Sequence, residues 1–376
     1  MVFRRSLLLC ALVLSTAACK RGGDELTVGA FLSLSGADST FGVDTRDAIQ
    51  LAVLETNGRG GIKGKPVRVL YEDDRSSSAE ATSKVRRLID HDKVVALLGE
   101  VASSRTLAGA LVANERKVPL VTPSSTENSI TAGRPWVFRT CFNNTQQGTA
   151  AARFVVETQG KRKVGLLFAA QAPYATGLSQ AFREALAAAG GSIVLEKPFP
   201  KGETNFTTYL EALRGAGAEA VFAPVYYNEM VLIGRQAKAV GVPGSAFVGG
   251  DGWDSANLLE GAAAELEGAH FATHYAPDVP WEHARAFITA FRERYGREPT
   301  GLAAQGYDGA RVLFDALARA ADTSPEAVRI ALGETKGFAG ATGTITLDEE
   351  RNARKPVVMV RVEGGRFRYA RELEVR

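Results

Sequence analysis

The chain has 376 residues, of which 45% are hydrophobic and 23% are charged, and its formal net charge is +3. This length exceeds what one compact core usually serves, so we expect a soluble globular protein with two domains. The balance of 45 Lys and Arg against 42 Asp and Glu, with no long basic run, argues against a nucleic-acid-binding protein, because contact with phosphates requires clustered positive charge.

The N-terminus has the pattern of a signal peptide. Within residues 1–18, the pair Arg4 and Arg5 is followed by a short apolar run and then by small side chains. A run this short is typical of a signal peptide rather than of a membrane-spanning helix. Cys19 follows directly, which predicts lipid attachment there and a tether over residues 19–25. The alternative is an ordinary secretory leader, cut at the same place, in which Cys19 has no special role.

Few cysteines remain in the mature chain. Cys10 leaves with the signal peptide and Cys19 carries the lipid, so Cys141 stands alone and no disulfide is expected within the mature chain. We predict that Cys141 is a small buried residue beside Phe142 rather than a reactive thiol.

Strand-like and helix-like runs alternate in the first half of the mature chain. Continuous apolar runs and apolar residues at helical spacing predict strands at 26–32, 67–71, 94–98 and 118–121, and helices at 40–56, 79–90 and 103–115. Strands that are apolar throughout and alternate with helices indicate a parallel sheet covered on both faces.

The same alternation restarts in the second half. Strands are predicted at 163–168, 193–196, 220–223 and 246–248, and helices at 177–189, 206–214 and 229–240. The last third adds helices at 282–295 and 301–321 and strands at 343–347 and 357–362, a segment that can cross back between lobes. The predicted fold class is therefore α/β, with two doubly wound parallel-sheet lobes.

We find no convincing catalytic or metal-binding signature. The glycine-rich run 60–65 is followed by Pro66 and a strand, whereas a phosphate loop needs Ser or Thr and a helix there. No nucleophile-elbow pattern occurs. His270 and His274 are four residues apart, but on a predicted strand leading to a loop that spacing does not form a chelating face. We therefore expect no enzyme activity, no metal and no cofactor.

Polar and aromatic side chains follow several predicted strands, at the ends where open α/β sheets bind ligands. Ser103 opens a helix, and the run 124–126 follows the next strand, so hydroxyls and free N–H groups there would suit a carboxylate. In the second half, Tyr226 and Asp251 follow strands, where an acid and an aromatic face would suit an ammonium. The alternative is that the hydroxyl residues are helix N-caps only and that the other two residues are structural.

With these residues the sequence resembles the leucine/isoleucine/valine-binding protein family, the amino-acid branch of the type I periplasmic binding proteins. The likeness extends from about residue 26 to residue 362. It rests on a set of motifs, which are residues 57–67, 71–74, 99–104, 119–126, 165–174 and 304–308.

The resemblance implies two lobes joined by a multi-strand hinge, residues 26–144 with 275–357 and residues 145–274 with 358–376. It also implies a ligand-binding site between the lobes. In this site the ligand carboxylate meets Ser103 and Thr126, and Ser125 adds its N–H. The ammonium meets the carbonyl of Ser124 and the carboxylate of Asp251, while Tyr174 and Tyr226 form a lid and Phe41 forms an aromatic wall. Transport members of the family often have Glu at the place of Asp251. The shorter Asp side chain changes the depth expected of the pocket, so the resemblance does not fix the identity of the ligand.

The function implied by the resemblance is that of the substrate-binding lipoprotein of an ABC importer. It would capture an amino acid with a branched or other apolar side chain in the periplasm and deliver it to the membrane permease, as a monomer. The alternative is a periplasmic sensor that binds an amide, urea or amino acid and signals to a partner protein.

Overall fold

A computed structural model describes residues 25–374 of the chain. Its strands are β1 (Leu26–Leu32), β2 (Val67–Asp73), β3 (Leu97–Gly99), β4 (Leu120–Thr122), β5 (Val137–Arg139), β6 (Lys163–Ala169), β7 (Ser192–Phe199), β8 (Ala220–Ala223), β9 (Phe247–Gly249), β10 (His270–Thr273), β11 (Phe338–Gly340), β12 (Gly343–Ile345), β13 (Val357–Glu363) and β14 (Arg366–Leu373). The signal peptide and the lipidation predicted at Cys19 lie outside the described residues.

The helices cover the faces of the sheets. They are α1 (Ser39–Gly58), α2 (Ser78–Asp90), α3 (Ser103–Glu115), α4 (Asn144–Arg153), α5 (Pro173–Ala188), α6 (Thr207–Gly215), α7 (Tyr227–Ala239), α8 (Ala256–Ala262), α9 (Arg285–Tyr295), α10 (Gly301–Arg319) and α11 (Pro325–Gly333). None of the helices within residues 25–374 has the length and apolar character that crossing a membrane requires.

The first lobe is built on a parallel sheet of five strands in the order β2-β1-β3-β4-β5. β1 lies inside this sheet and is buried along nearly its whole length, which explains its continuous apolar sequence. α10 packs against α1, so residues far along the chain complete this lobe.

The second lobe is built on a sheet of seven strands in the order β14-β13-β10-β9-β8-β6-β7. The strands from β6 to β10 are parallel, whereas β13 pairs antiparallel with β10 and β14 pairs antiparallel with β13. The predicted α/β fold with two doubly wound lobes is confirmed. β13 matches a predicted strand, whereas its antiparallel pairing and β14 were not predicted.

Several predicted limits differ from the structure. β3 begins three residues later than predicted, at Leu97, and the helix predicted from residue 282 opens with a 3₁₀ turn before α9. The helix predicted from residue 177 begins earlier, because Pro173 occupies the first turn of α5 and suits that position. This earlier start brings Tyr174 into the first turn of α5.

Candidate functional site

Seven of the eight predicted site residues line one cavity between the two sheets, and three further residues complete its wall. The cavity is lined by Phe41, Val101, Ser103, Ser124, Thr126, Tyr174, Tyr226, Asp251, Gly252 and Leu302. The described part of the chain contains no cluster of three or more His, Cys, Asp or Glu side chains arranged to hold a metal ion.

The first lobe contributes residues from the carboxyl ends of three strands. Phe41 follows β1 and lies in the first turn of α1, which can approach the preceding loop because the next residue is glycine. A Cβ atom on Gly42 would lie 2.0 Å from the carbonyl oxygen of Ser33. Ser103 is the first residue of α3, after β3, and Thr126 follows β4. The topology thus gathers residues distant in sequence at one edge of the sheet.

Buried hydroxyl groups without partners face this cavity. The hydroxyls of Ser124 and Thr126 have no hydrogen-bond partner within residues 25–374, although both residues are 1–2% exposed. Burying a hydroxyl without a partner is costly, so such groups are commonly completed by a ligand or water. The hydroxyl of Ser103 accepts a weak hydrogen bond from the N–H of Glu127 at 3.4 Å, which leaves its own proton available.

The helix N-cap alternative does not account for these hydroxyls. α3 has Ala102 at its N-cap position, with no side-chain cap, and Ser103 lies one residue inside the helix. The segment from Ser124 to Thr126 precedes a short 3₁₀ turn that is capped by the side chain of Glu127.

Ser125 is placed differently from the expectation. Its N–H donates to the hydroxyl of Thr122 at 3.2 Å, and its own hydroxyl lies 3.0 Å from the carbonyl oxygen of Glu100 and 2.7 Å from that of Val101. The side chain therefore turns away from the cavity and ties two strand ends together. Its N–H is already used inside the lobe, which removes the contact that the sequence analysis assigned to it.

A buried arginine supports the loop that carries Thr126. The guanidinium of Arg139 donates to the carbonyl oxygens of Ser125, at 3.2 Å, and of Glu127, at 2.8 Å. It also donates to the side chain of Asn352 at 2.9 Å and 2.7 Å. Multiple donors in a rigid plane fix backbone geometry well. The sequence analysis missed Arg139, because an arginine at the end of a strand gave no indication of the loop that it contacts.

Two tyrosine rings form the second-lobe side of the cavity. The rings of Tyr174 and Tyr226 stack with their centroids 5.1 Å apart, and Phe41 meets Tyr226 edge to face at 5.4 Å. The hydroxyl of Tyr174 accepts a hydrogen bond from the N–H of Gly252 at 3.1 Å. Burial raises the pKa of both tyrosines well above the ordinary value, so both keep neutral hydroxyl groups at physiological pH.

Asp251 is the acid of the site and is held from behind. Its carboxylate accepts a hydrogen bond from the side chain of Gln147 at 2.8 Å and lies 3.3 Å from Nε2 of His274. Sequence reasoning missed both partners. His274 directly follows the end of β10, as other site residues follow strands, and this position could have indicated its role. Gln147 lies on α4, where no feature of the sequence indicated a role in the site.

The lobes touch each other around this cavity. The hydroxyl of Tyr227, on α7, donates to the carbonyl oxygen of Ala37 at 2.8 Å. The hydroxyls of Thr40 and Ser255 lie 3.0 Å apart. These contacts connect the start of α1 with the second lobe, so the structure has the lobes closed over the site.

A buried charge cluster lies beneath the first-lobe side of the site. The guanidinium of Arg105, on α3, lies 2.8 Å from Asp38, 3.2 Å from Glu100 and 3.9 Å from Asp74. Burial raises the pKa of Asp74 to about 7, and the neighbouring Glu100 carboxylate adds to this effect. Arg105 and Asp38 also border the wider cleft that leads past Tyr226.

The single free thiol of the described residues lies below the same loop. Cys141 is fully buried, and burial raises the pKa of its thiol to about 12. Its Sγ lies 3.5 Å from the carbonyl oxygen of Ser125. The prediction that Cys141 is a small buried residue is therefore confirmed.

The two sides of the cavity differ in polar character. Hydroxyl donors stand on the first-lobe side, a carboxylate stands on the second-lobe side, and aromatic and aliphatic side chains fill the walls. The hydroxyls of Ser124 and Thr126 have no partner within residues 25–374, so both can donate a hydrogen bond to a ligand.

Known proteins resemble this chain over nearly its whole length, and the sequence profile described as periplasmic binding protein matches residues 25–366. The leucine-binding protein LivK of Thermotoga maritima is 34% identical, with 93% of this chain and 99% of that chain covered and a TM-score of 0.89. The branched-chain amino acid transporter substrate-binding protein LivJ of Streptococcus pneumoniae, in complex with isoleucine, is 31% identical, with 94% and 100% covered and a TM-score of 0.88. The Leu/Ile/Val-binding protein homolog 2 of Brucella abortus is 27% identical over 370 residues, 96% of each chain. The chain therefore belongs to the periplasmic binding protein family, in the branch of the Leu/Ile/Val-binding proteins.

Proposed function

We propose that this protein is the substrate-binding lipoprotein of an ABC importer and that it captures an amino acid with an apolar side chain. One observation carries the proposal, namely that unpartnered buried hydroxyls face a buried carboxylate across a small cavity with apolar walls. The relatives support it, since LivK is named a leucine-binding protein and the LivJ structure contains isoleucine.

In this proposal the ligand carboxylate binds first, in the first lobe. The hydroxyls of Ser103 and Thr126 donate to it, and Ser124 offers its carbonyl oxygen to the ammonium. Closure then brings Asp251 onto the ammonium, and Tyr174 and Tyr226 cover the ligand. The contacts between the lobes favour the closed form, and the ligand shifts the population toward it by its higher affinity for that form.

The apolar lining supports a ligand with an apolar side chain. Phe41, Val101 and Leu302 provide the aromatic and aliphatic surface of the cavity. A charged side chain placed against these residues would lose its hydration without gaining a partner.

We also propose the cellular context and the domain limits. Cleavage before Cys19 and lipid attachment there would tether the protein in the periplasm, as a monomer, beside the membrane permease that receives the amino acid. The first lobe would comprise residues 26–144 with 275–357, and the second lobe residues 145–274 with 358–376. The strand composition of the two sheets supports this division, apart from β13, which begins at Val357.

The test is a calorimetric and thermal-shift screen of the chain from residue 20 onward against all amino acids, acetamide and urea. A ligand at 100 times its dissociation constant stabilises the folded state by about 2.7 kcal/mol, which is easily detected. We expect the largest shift with leucine, isoleucine or valine. A response to acetamide or urea alone would contradict the proposal and favour the sensor alternative.

A matched pair of variants tests the site itself. Thr126→Val removes a buried unpartnered hydroxyl that lines the cavity, and Thr140→Val removes one that does not. Hydrogen bonds to charged groups contribute about 1.5–3 kcal/mol, so Thr126→Val should weaken amino-acid binding by roughly 10- to 100-fold. Thr140→Val should leave it unchanged. Equal affinities for both variants would remove Thr126 from the site.

A further inference from the structure

Two side chains that do not line the ligand cavity hold the carboxylate of Asp251 from behind. Gln147, on α4, donates from its side-chain N–H to Oδ1 at 2.8 Å, and Nε2 of His274 lies 3.3 Å from Oδ2. Asp251 is 4% exposed, and His274 is 1% exposed. A carboxylate offers about four acceptor positions, so these two contacts leave the remaining lone pairs for the cavity side.

The surroundings of His274 determine which nitrogen carries the proton. The ring stacks on Phe142 with a centroid distance of 3.7 Å, and Nδ1 has no hydrogen-bond partner within residues 25–374. A proton on Nδ1 would therefore be buried without an acceptor, whereas a proton on Nε2 meets Asp251. The neutral ring with its proton on Nε2 is the form that fits this site.

The charged and titratable groups around this pair come from several elements. Asp251 lies after β9 and favours a charged His274, whereas Lys355, before β13, opposes it. The thiol of Cys141 and the hydroxyl of Tyr174 also interact with Asp251, and burial keeps both protonated. Burial is the largest influence on His274 and lowers its pKa below the ordinary value.

We propose that Gln147 and His274 are positioning residues that aim the Asp251 carboxylate at the ligand ammonium, and that protonation of His274 at acid pH neutralises this carboxylate and releases the ligand. The inference rests on the proposed function, because it assigns the ammonium to Asp251. Protonated His274 would place a second cation 3.3 Å from Oδ2, in competition with the ammonium. The ligand and the proton then exclude each other, so affinity falls as the pH falls through the pKa of His274.

The experiment measures the dissociation constant of L-leucine between pH 8 and pH 4.5 by calorimetry, together with the titration of the histidine rings by NMR. In the wild-type protein we expect the Nε2–H form at neutral pH and an affinity that falls up to tenfold per pH unit below the NMR pKa of His274. His274→Gln retains an N–H donor but cannot become charged. It should lack the acid decline, so its affinity at pH 5 should stay within about threefold of its own affinity at pH 7.5.

His270→Gln is the matched control, since His270 lies on β10 and packs against Phe154 instead of Asp251. It should retain the wild-type pH profile. Gln147→Met removes the other donor and should weaken binding about tenfold at every pH while retaining the acid decline. This variant and the wild-type titration test the proposal even if His274→Gln does not fold.

Two results would overturn the inference. One is a wild-type pH profile that His274→Gln shares, and the other is a Gln147→Met variant that binds as tightly as wild type. Failure of the proposed function has a different signature, because then neither L-leucine nor any other amino acid would bind the wild-type protein at pH 7.5. In that case the His274–Asp251 pair is still measurable, since Asp251→Asn should lower the NMR pKa of His274.

Discussion

Asp74 in the buried charge cluster should make the protein less stable as the pH rises toward neutrality. The pKa of this carboxyl is about 7 in the folded protein, against an ordinary value of 3.8. Between these values the folded state binds more protons than the unfolded chain, so the free energy of unfolding decreases with rising pH. At about 1.36 kcal/mol per pH unit, the difference corresponds to roughly 4 kcal/mol lost by pH 7.

Asp74→Asn imitates the protonated carboxyl and cannot ionise. Its side-chain oxygen can still accept from the hydroxyl of Ser33 and the N–H of Ser76, which lie 2.7 Å and 3.0 Å from Oδ1 in the wild-type protein. We therefore expect the variant to be more stable than wild type at pH 8, by up to roughly 4 kcal/mol, with a smaller dependence on pH between 5 and 8.

Urea unfolding of the ligand-free protein at pH 5, 6, 7 and 8, followed by tryptophan fluorescence, measures these free energies. Asp73→Asn is the adjacent control with the opposite sign. Hydrogen bonds from Ser35, Arg75 and Leu34 outweigh burial and hold the pKa of Asp73 below its ordinary value, so its stabilising effect is present at neutral pH and is lost as the pH falls through that pKa. Equal pH slopes for wild type and Asp74→Asn, or a less stable Asp74→Asn at pH 8, would refute the reasoning.

Three further predictions concern positions around the cavity. Gly42→Ala should displace the first turn of α1 and destabilise the protein by about 1–3 kcal/mol in thermal unfolding, whereas Gly58→Ala, in the same helix but with no atom within 4 Å of the added Cβ, should not. The thiol of Cys141 should resist Ellman's reagent at pH 8 in the folded protein and react in urea, because burial raises its pKa to about 12. Rapid reaction in the folded protein would contradict the burial of this side chain. Tyr227→Phe removes a hydrogen bond that joins the two lobes outside the ligand cavity, so L-leucine binding measured by calorimetry should weaken about 2- to 10-fold. An unchanged affinity would show that this hydrogen bond does not favour the closed form.

The fold was predictable where burial leaves a periodic pattern. β1, β6 and β8 are continuous apolar runs between polar segments, and their limits agree with the structure to within one residue. α4 escaped the sequence analysis because its small and polar residues show no apolar periodicity, although its capping box at Asn143 was a local signal. β14 escaped because it is an exposed edge strand in which charged residues recur.

The site residues were predictable where they follow a predicted strand, at the edge where open α/β sheets bind ligands, or where they belong to a motif of the resemblance. Tyr226 and Asp251 follow predicted strands, so their positions depend on features that the sequence displays. Arg139, Gln147 and His274 act through contacts that form only when elements distant in sequence meet, and no spacing along the chain encodes those contacts. Their discovery required the packing of the two lobes.

The separation in sequence between β10 and its partner strand has a consequence for the folding of the second sheet. β13 pairs with β10 and β14 pairs with β13, yet β13 is separated from β10 by more than 80 residues of sequence, as the pairing of Thr273 with Val358 illustrates. Until β13 pairs with it, β10 presents an open strand edge, and such edges invite pairing with other chains. Closing this edge requires contact between residues distant in sequence, so the second sheet is completed late in folding, and its unfinished form is the state most exposed to misassociation.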